Sequence, residues 1–384
     1  MFLEYKNKKT EIDILANTDK VELDFVAGKK SINKLIKGDN LSVLKTLLED
    51  YKMGGKIDLV YIDPPFATNG KFRISENRAN TISMGNDKDI AYSDTIIGSD
   101  FLEFLRQRLI FLRELMSEKA SIYLHIDYKI GHYVKIIMDE VFGGKNFKND
   151  IARIKCNPKN FDRSAYGNIK DLILFYTKSA NHNWNNPMSS FSEKDIVDLF
   201  KKIDKNGRRY TTIPLHAPGQ TANGKTGQEW RGIKPPEGRH WRCSPEILEE
   251  LEGRGLIEWS KTGVPRKIIY ADEKDGKKMQ DIWEFKDPQY PAYPTEKNIE
   301  LLKFIIQASS NVGDLVLDCF CGSGTTLVAA QELNRKWIGI DQSNYAIEIA
   351  QKKLRAVAQN LFSGGKDYEF LIQKQKIEKT CAVL

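Results

Sequence analysis

Two short motifs in this sequence carry residues that could act together on an aromatic amine. The first is the tetrapeptide Asp63-Pro64-Pro65-Phe66, which directly follows the apolar run IDLVYI. Its prolines restrict the backbone and hold a carboxylate and an aromatic ring in a fixed relation. A carboxylate and a backbone carbonyl that accept the two N–H bonds would make the nitrogen lone pair available for attack on an electrophilic methyl group. The ring of Phe66 would stack on an extruded base.

The second motif is the glycine-rich turn DCFCGSGTT at residues 318–326, which lies between a predicted strand and a predicted helix. Gly322 and Gly324 would let a ligand approach the backbone, and the start of the helix offers free N–H groups. Leu327 stands where a dinucleotide fingerprint has its third glycine, which disfavours a nicotinamide or flavin. Asp341 ends the next predicted strand and is placed to bind ribose hydroxyls. These features predict an adenosyl ligand.

The elements around both motifs follow the rhythm of a parallel sheet. IDLVYID (57–63) and ASIYLHID (120–127) read as buried strands, and FLEFLRQRLIFLRELMSE (101–118) between them reads as an amphipathic helix. After residue 290 the pattern returns as helix, strand, turn, helix and strand. We therefore predict an α/β fold with a Rossmann-like sheet that is built from both ends of the chain and has helices on both faces. Its motifs would meet beyond the carboxyl ends of the strands.

Composition divides the chain into four segments. We predict an N-terminal extension at 1–30, a catalytic half at 31–150, an inserted recognition module at 151–285 and a cofactor-binding half at 286–384. The insert is rich in Gly, Pro, Trp, Arg and Lys, and its apolar runs are short. Residues 210–242 suggest long ordered loops, followed by a short helix and a hairpin.

The predicted insert is interpreted as a surface that faces DNA. Arginines can read guanine edges and lysines can hold phosphates. The candidate DNA-binding residues are Arg231, Lys234, Arg239, Trp241 and Arg242. The stretch 219–226 also matches the phosphate-binding pattern GxxxxGK(S/T), but the prolines and glycines around it prevent a helix from starting there. A nucleoside triphosphate site is therefore not expected.

Bulk properties narrow the class of protein. The chain has 384 residues, a net charge of +7 and five cysteines without a CxxC pair. An odd number of cysteines favours reduced thiols over a disulfide frame or a zinc site, so no metal is expected. No apolar run could span a bilayer, and we expect a cytoplasmic protein with no membrane contact.

Taken together, the motifs resemble those of the DNA amino-methyltransferases of bacterial restriction–modification systems. The resemblance is to the class in which the catalytic motif precedes the cofactor motif, a circularly permuted order. In that family (D/N/S)PP(Y/F) holds the target amine and D-x-F-x-G-x-G holds S-adenosylmethionine. Residues 63–66 and 318–324 match these patterns, although Phe66 replaces the commoner tyrosine.

The resemblance also implies site residues. Asp63, Pro64, Pro65 and Phe66 would be catalytic. Gly38-Asp39-Asn40 resembles the loop near the cofactor's adenine, and Pro294-Thr295-Glu296-Lys297 a segment near its methionine end. The implied cofactor-binding residues are Asp39, Asn40, Thr295, Lys297, Asp318, Phe320, Gly322, Gly324, Thr325 and Asp341.

The resemblance implies site-specific methylation of N6 of adenine in duplex DNA, since Asp rather than Ser begins the tetrapeptide. Three alternatives stay open: methylation of cytosine N4, methylation of RNA or of a protein amide, and a DNA-binding subunit without activity. A homodimer and a restriction endonuclease partner are further expectations.

Overall fold

The computed structural model describes residues 2–65, 71–73, 90–93, 98–158, 162, 164–221, 223–289, 296–360 and 368–374. The chain divides into two compact units. Unit 1 comprises Met1–Pro187 and Gln280–Leu384, and unit 2 comprises Met188–Met279. No helix in these described ranges combines the length and the apolar character needed to cross a membrane.

The described strands are, in chain order, β1 (Leu23–Gly28), β2 (Lys34–Lys37), β3 (Ile57–Ile62), β4 (Lys71–Arg73), β5 (Ile90–Ser93), β6 (Met116–Ile126), β7 (Phe147–Ile154), β8 (Lys170–Thr177), β9 (Met188–Ser189), β10 (Lys202–Ile203), β11 (Arg209–Pro214), β12 (His216–Pro218), β13 (Arg239–Trp241), β14 (Ile257–Trp259), β15 (Pro265–Tyr270), β16 (Lys277–Lys278), β17 (Ile282–Glu284), β18 (Leu315–Asp318), β19 (Lys336–Asp341) and β20 (Glu369–Gln373).

The described α-helices are α1 (Glu11–Asn17), α2 (Asn40–Glu49), α3 (Gly98–Leu115), α4 (Tyr128–Phe142), α5 (Glu193–Leu199), α6 (Pro245–Gly253), α7 (Ile299–Ser309), α8 (Thr325–Glu332) and α9 (Asn344–Asn360). Short 3₁₀ helices cover Gly144–Asn146, Lys225–Gly227 and Ala271–Glu273.

Unit 1 is built on one ten-stranded sheet in the order β1-β20-β2-β19-β18-β3-β6-β8-β7-β17. From β20 to β6 neighbouring strands run parallel, whereas β1 and β8 are antiparallel to their neighbours. The predicted Rossmann-like α/β fold is confirmed. Its strands come from both ends of the chain, and β18 lies between β19 and β3.

Alternation along β6 shows that helices cover both faces of the sheet. Ile122 and Leu124 belong to a buried core that includes residues of α2, α3 and α4. Tyr123 points to the opposite face because successive strand residues alternate in direction. Its hydroxyl lies 2.8 Å from Oγ of Ser309, the last residue of α7. This is the three-layer arrangement that the sequence pattern predicts.

Two predicted segments and one predicted loop region differ from the structure. Residues 151–187 hold half of β7 and all of β8, which extend the large sheet, so the compact insert, Met188–Met279, is shorter than the predicted 151–285. Residues 1–30 are an integral part of unit 1, because β1 pairs with β20 and Glu11 of α1 forms an ion pair with Arg113. The predicted loops at 210–242 contain β12, β13 and most of β11.

Unit 2 has its own small core. A four-stranded antiparallel sheet runs in the order β10-β11-β15-β14 and contains the predicted hairpin. Trp230 and Trp241 pack at the centre with Leu248 and Leu251 of α6. A 3₁₀ turn, Lys225–Gly227, lies at the end of the GxxxxGK(S/T) match, where a phosphate-binding loop would begin an α-helix.

Candidate active site

The two sequence motifs follow neighbouring parallel strands. Asp63 comes directly after β3 and Asp318 ends β18, and Leu317 pairs with Val60 in the sheet. Because the carboxyl ends of parallel strands meet at one edge of the sheet, both motifs open at the same place. The structure therefore brings together residues that are distant in the sequence.

The glycine-rich turn adopts a conformation that depends on its glycines. Gly322 and Gly324 have φ angles of 49° and 76°, in the region that favours glycine. Gly324 is the N-cap of α8, so the first N–H groups of that helix point into the turn. Gly322 is half-buried and has no side chain, so a polar ligand could lie against the main chain at this position, next to the start of a helix.

Asp318 stabilises the glycine-rich turn through two hydrogen bonds. Its Oδ1 accepts a hydrogen bond from the backbone N–H of Phe320 at 3.0 Å, and its Oδ2 accepts one from Oγ1 of Thr326 at 2.6 Å. Burial, together with the smaller effect of the nearby charges of Asp63 and Asp341, raises the pKa of Asp318 to about 7. Asp318 thus acts as a buried brace inside the turn.

Asp341 closes the other side of the turn at the end of β19. Its Oδ2 accepts the N–H of Gly322 at 2.9 Å, and its Oδ1 accepts the N–H of Ser343 at 2.8 Å. Burial raises the pKa of this carboxyl. The acid that the sequence predicts as a ribose ligand is therefore tied to the glycine-rich turn.

Asp39 and Asn40 lie beside the same turn, at the start of α2. Asp39 is the N-cap, and Nδ2 of Asn40 donates to the carbonyl of Cys319 at 2.7 Å. The guanidinium of Arg108 donates to Oδ1 of Asn40 at 2.6 Å and packs 3.5 Å from the ring centre of Phe104. This arrangement joins α2, α3 and the loop after β18.

Sequence reasoning missed Arg108, although a signal exists. The residue lies on the buried side of an amphipathic helix, where an arginine calls for buried partners. Burial lowers its pKa to about 10, even though the carboxylate of Asp39 acts in the opposite direction. Phe104, which stacks on Arg108, also packs against the predicted cofactor residue Phe320, with 6.1 Å between the two ring centres.

Lys297 lies against Asp63. Its Nζ is 2.5 Å from Oδ2 of Asp63, and both side chains are largely buried, at 9% and 17% exposure. Oδ1 of Asp63 is buried and has no hydrogen-bond partner among the described residues. Lys297, which the family resemblance implies as a cofactor-binding residue, contacts the carboxylate of the first motif.

The residue before Lys297, Glu296, contacts a lysine that lies beside the glycine-rich turn. Glu296 forms an ion pair with Lys353 of α9. The ammonium of Lys353 also contacts Oγ of Ser323 at 2.9 Å and Oγ1 of Thr325 at 3.4 Å. No sequence pattern singles out Lys353, because its role depends on how α9 packs against the turn.

A buried polar chain lies behind Asp63. The hydroxyl of Tyr61 is 3.0 Å from Nδ1 of His125, and Nε2 of His125 is 3.2 Å from Oδ2 of Asp171. Burial lowers the pKa of His125, so the ring is neutral. Burial raises the pKa of Asp171, but His125 and Lys155 lower it overall. The neutral ring therefore donates from Nε2 and accepts from Tyr61 at Nδ1.

The predicted DNA-binding residues of unit 2 fall into different environments. Trp241 is 1% exposed and its Nε1 donates to the carbonyl of Gln228, so the prediction that its ring contacts DNA is wrong. Arg231 forms ion pairs with Glu249 and Glu252. These environments separate a core residue and a paired arginine from the remaining candidates.

Lys234, Arg239 and Arg242 are exposed. Arg239 donates to Nδ1 of His216 at 3.1 Å, and Arg242 donates to the carbonyl of Pro214 at 3.0 Å. Burial and then the charges of Arg239 and Arg242 lower the pKa of His216. A cluster of positive charge therefore surrounds β12.

Two predicted residues, Phe66 and Thr295, lie outside the described residues. Pro64 and Pro65 are described, and Pro64 is buried. Within the described ranges, no three His, Cys, Asp or Glu side chains converge in a way that could hold a metal ion.

Comparison with known proteins places these features in a family. The N6/N4 methyltransferase model of the DNA methylases matches residues 57–352. Type II methyltransferase M.EcaI of Enterobacter cloacae is 39% identical over 363 residues, which cover 91% of this chain and 77% of the relative.

Two further similarities are more distant. The Mod subunit of the Type III restriction-modification enzyme StyLTI of Salmonella typhimurium is 26% identical over 343 residues. That match covers 80% of this chain but only about half, 51%, of the relative. The solved PvuII DNA methyltransferase (cytosine-N4-specific) has a TM-score of 0.48 at 12% identity and covers 86% of this chain and 90% of that chain.

Proposed function

This chain belongs to the DNA methylase family that comprises the N6 and N4 amino-methyltransferases, and on that premise we propose that it methylates N6 of adenine in duplex DNA. It is a DNA methyltransferase of the restriction–modification type, and its cofactor is S-adenosylmethionine. The observation that supports the proposed site is the pairing of β3 with β18, which places Asp63 beside the glycine-rich turn.

The residues around the glycine-rich turn fit the cofactor. Gly322 and Gly324 both have positive φ, and Gly322, which is half-buried and has no side chain, leaves the backbone open to a ligand at that position. We assign Asp341 to the ribose hydroxyls and Asp39 with Asn40 to the adenine side, because carboxylates and amides accept and donate the hydrogen bonds these groups need. Phe320 and Thr325 complete the proposed pocket around the buried brace Asp318.

The chemistry at Asp63 follows from the acceptor atoms on the loop. The buried Oδ1 of Asp63 would accept one N–H of the target amine, and the carbonyl of Pro64 would accept the other. When bound, S-adenosylmethionine would supply an electrophilic methyl group. The nitrogen held by Asp63 and Pro64 would direct its lone pair at that group and release one proton to water, while the electrons of the broken S–C bond would stay on sulfur. Reaching these acceptors requires that the base leave the duplex, and Phe66 is the proposed stacking partner.

Unit 2 is the proposed DNA-recognition module. Arg239 and Arg242 are exposed and positively charged, and among the described residues neither has a carboxylate partner. Such arginines bind phosphates or guanine edges. Arg231 is the weaker candidate, since two glutamates already balance its charge. A homodimer and a restriction endonuclease that recognises the same sequence are the further partners we propose.

The choice of adenine is tested by mass spectrometry of nucleosides from unmethylated plasmid DNA treated with the purified protein and S-adenosylmethionine. We expect N6-methyladenine, because Asp begins the tetrapeptide. N4-methylcytosine alone would reassign the base and keep the enzyme class. Methyl transfer to RNA or protein but not to duplex would replace DNA as the substrate. Cofactor binding without any transfer would indicate an inactive DNA-binding subunit.

A further inference from the structure

The contact between Asp63 and Lys297 leaves one carboxylate oxygen occupied and the other open. Lys297 holds Oδ2 at 2.5 Å, while Oδ1 is buried and lacks a hydrogen-bond partner among the described residues. A buried polar atom without a partner destabilises a protein, because it has lost its hydrogen bonds to water and has gained none in exchange. Such an atom in a native fold therefore calls for a ligand that completes it.

We propose that Lys297 is a positioning residue for methyl transfer, which holds Oδ2 of Asp63 so that Oδ1 faces the target amine. This inference rests on the proposed role of Asp63. A carboxylate with both oxygens free can rotate about its terminal bond, because that torsion is broad. The ammonium of Lys297 removes this freedom before the base enters.

Tyr61 and His125 do not supply the same positive charge to Asp63. His125 is neutral, because burial lowers its pKa. Burial and the charge of Asp63 raise the pKa of Tyr61, whose hydroxyl is directed to His125. Loss of the Lys297 ammonium would therefore leave Oδ2 as a second buried acceptor that could compete for the amine.

Glu296 and Lys297 are adjacent in the sequence but contact different halves of the proposed site. Glu296 binds Lys353, which contacts Ser323 and Thr325 in the cofactor turn, whereas Lys297 binds Asp63. A cofactor ligand and a positioning residue therefore have separable signatures. The first affects the dissociation constant of S-adenosylmethionine, and the second affects kcat.

The test compares Lys297→Met and Lys297→Arg with Lys303→Met as the matched control. Lys303 lies on α7 and pairs with Glu300 and Glu332 outside the proposed site. Each variant is assayed for kcat on unmethylated plasmid DNA and, by calorimetry without DNA, for binding of S-adenosylmethionine. Thermal unfolding shows whether each variant is folded.

We expect Lys297→Met to lower kcat by about tenfold or more with little change in cofactor affinity, since misplacement of a reacting group by 1 Å can cost about 100-fold. Lys297→Arg should recover part of kcat, because a guanidinium can also donate to Oδ2. If Lys297→Met does not fold, the arginine variant decides alone: partial kcat at unchanged cofactor affinity supports positioning, and weakened cofactor binding at unchanged kcat overturns it.

Two other results would also overturn the inference. A Lys297→Met enzyme with unchanged kcat would show that the pair is only structural, and one with raised kcat would show that Lys297 blocks the amine. Asp63→Asn separates this failure from failure of the proposed function. If Asp63→Asn stays active, the role of Asp63 is wrong. If it is inactive while Lys297→Met is fully active, only the positioning role fails.

Discussion

A Cβ atom added to Gly324 would lie 2.8 Å from Cβ of Ala350, because the start of α8 packs directly against α9. The φ angle of Gly324 is 76°, which side chains of L residues rarely adopt. The glycine that opens the cofactor turn is therefore also a packing residue.

Gly324→Ala should lower the free energy of unfolding by about 1–3 kcal/mol, through backbone strain and the clash with Ala350. It should also weaken binding of S-adenosylmethionine, since the turn must shift to make room for the alanine side chain. Urea unfolding and calorimetry measure the two effects. Gly253→Ala, at the last residue of α6, is the control because its Cβ meets nothing within 4 Å. Equal stability of both variants would contradict the prediction.

Asp318 should make the stability of the cofactor-free protein depend on pH. Its pKa is raised by burial to about 7, so the native state keeps a proton that the unfolded chain releases near pH 4. Because the native state then binds more protons, the free energy of unfolding falls as pH rises from about 4 to about 7. Asp318→Asn removes this titration and should flatten the curve.

Urea unfolding at several pH values measures that slope. Asparagine can still accept from Phe320, and Thr326 can reverse its hydroxyl to accept from the amide, so the variant should fold. Asp24→Asn on the exposed face of β1 is the control and should keep the slope of the parent. An Asp318→Asn curve as steep as that of the parent would show that another group controls this range.

Arg108 offers a test of the adenine side of the proposed pocket. Arg108→Met keeps much of the buried volume but removes the donor to Asn40 and the ion pair with Asp39. We expect a decrease of about 1–3 kcal/mol in stability and weaker cofactor binding, since buried acceptors lose their partner. Calorimetry and thermal unfolding check both. Arg254→Met, which removes only an exposed ion pair with Glu250, should change neither.

The position of the two motifs at one edge of the sheet could be predicted from the sequence, because it depends on local signals. Asp63 follows an apolar strand, and the glycines of the cofactor turn lie between a strand and a helix, so their place at a sheet edge follows from general rules. The pairing of β3 with β18 confirms that expectation. Glycine and proline mark such loops whatever the rest of the fold contributes.

The side chains that contact these motifs could not be predicted from the sequence in the same way. The ion pairs of Lys297 and Lys353 depend on tertiary packing between segments that are far apart in the sequence. His125 could have been noticed in the sequence, since it is a polar residue within the apolar run ASIYLHI. The assignment of β8 to the insert followed a shift in composition, although its apolar run KDLILFYT fits a buried strand.

The exposed arginines of unit 2 provide a comparison within one surface. Arg239 and Arg242 contact only neutral groups in the described part of the chain, whereas Arg231 is paired with Glu249 and Glu252. Alanine at 239 or 242 should weaken binding of duplex DNA and lower the slope of log affinity against log salt by about 1 for each phosphate that is no longer neutralised. Arg231→Ala should have a smaller effect.

Fluorescence anisotropy with a labelled duplex at several salt concentrations measures both quantities. Arg231→Ala is the matched control, because it removes the same side chain from the same unit while its charge is already balanced. If Arg231→Ala weakened binding as much as Arg239→Ala, the glutamate pairs would have to open on DNA. The salt slope then decides the cause: an unchanged slope would mean that the arginines at 239 and 242 stabilise unit 2 instead of holding phosphates, because only neutralised phosphates release counterions.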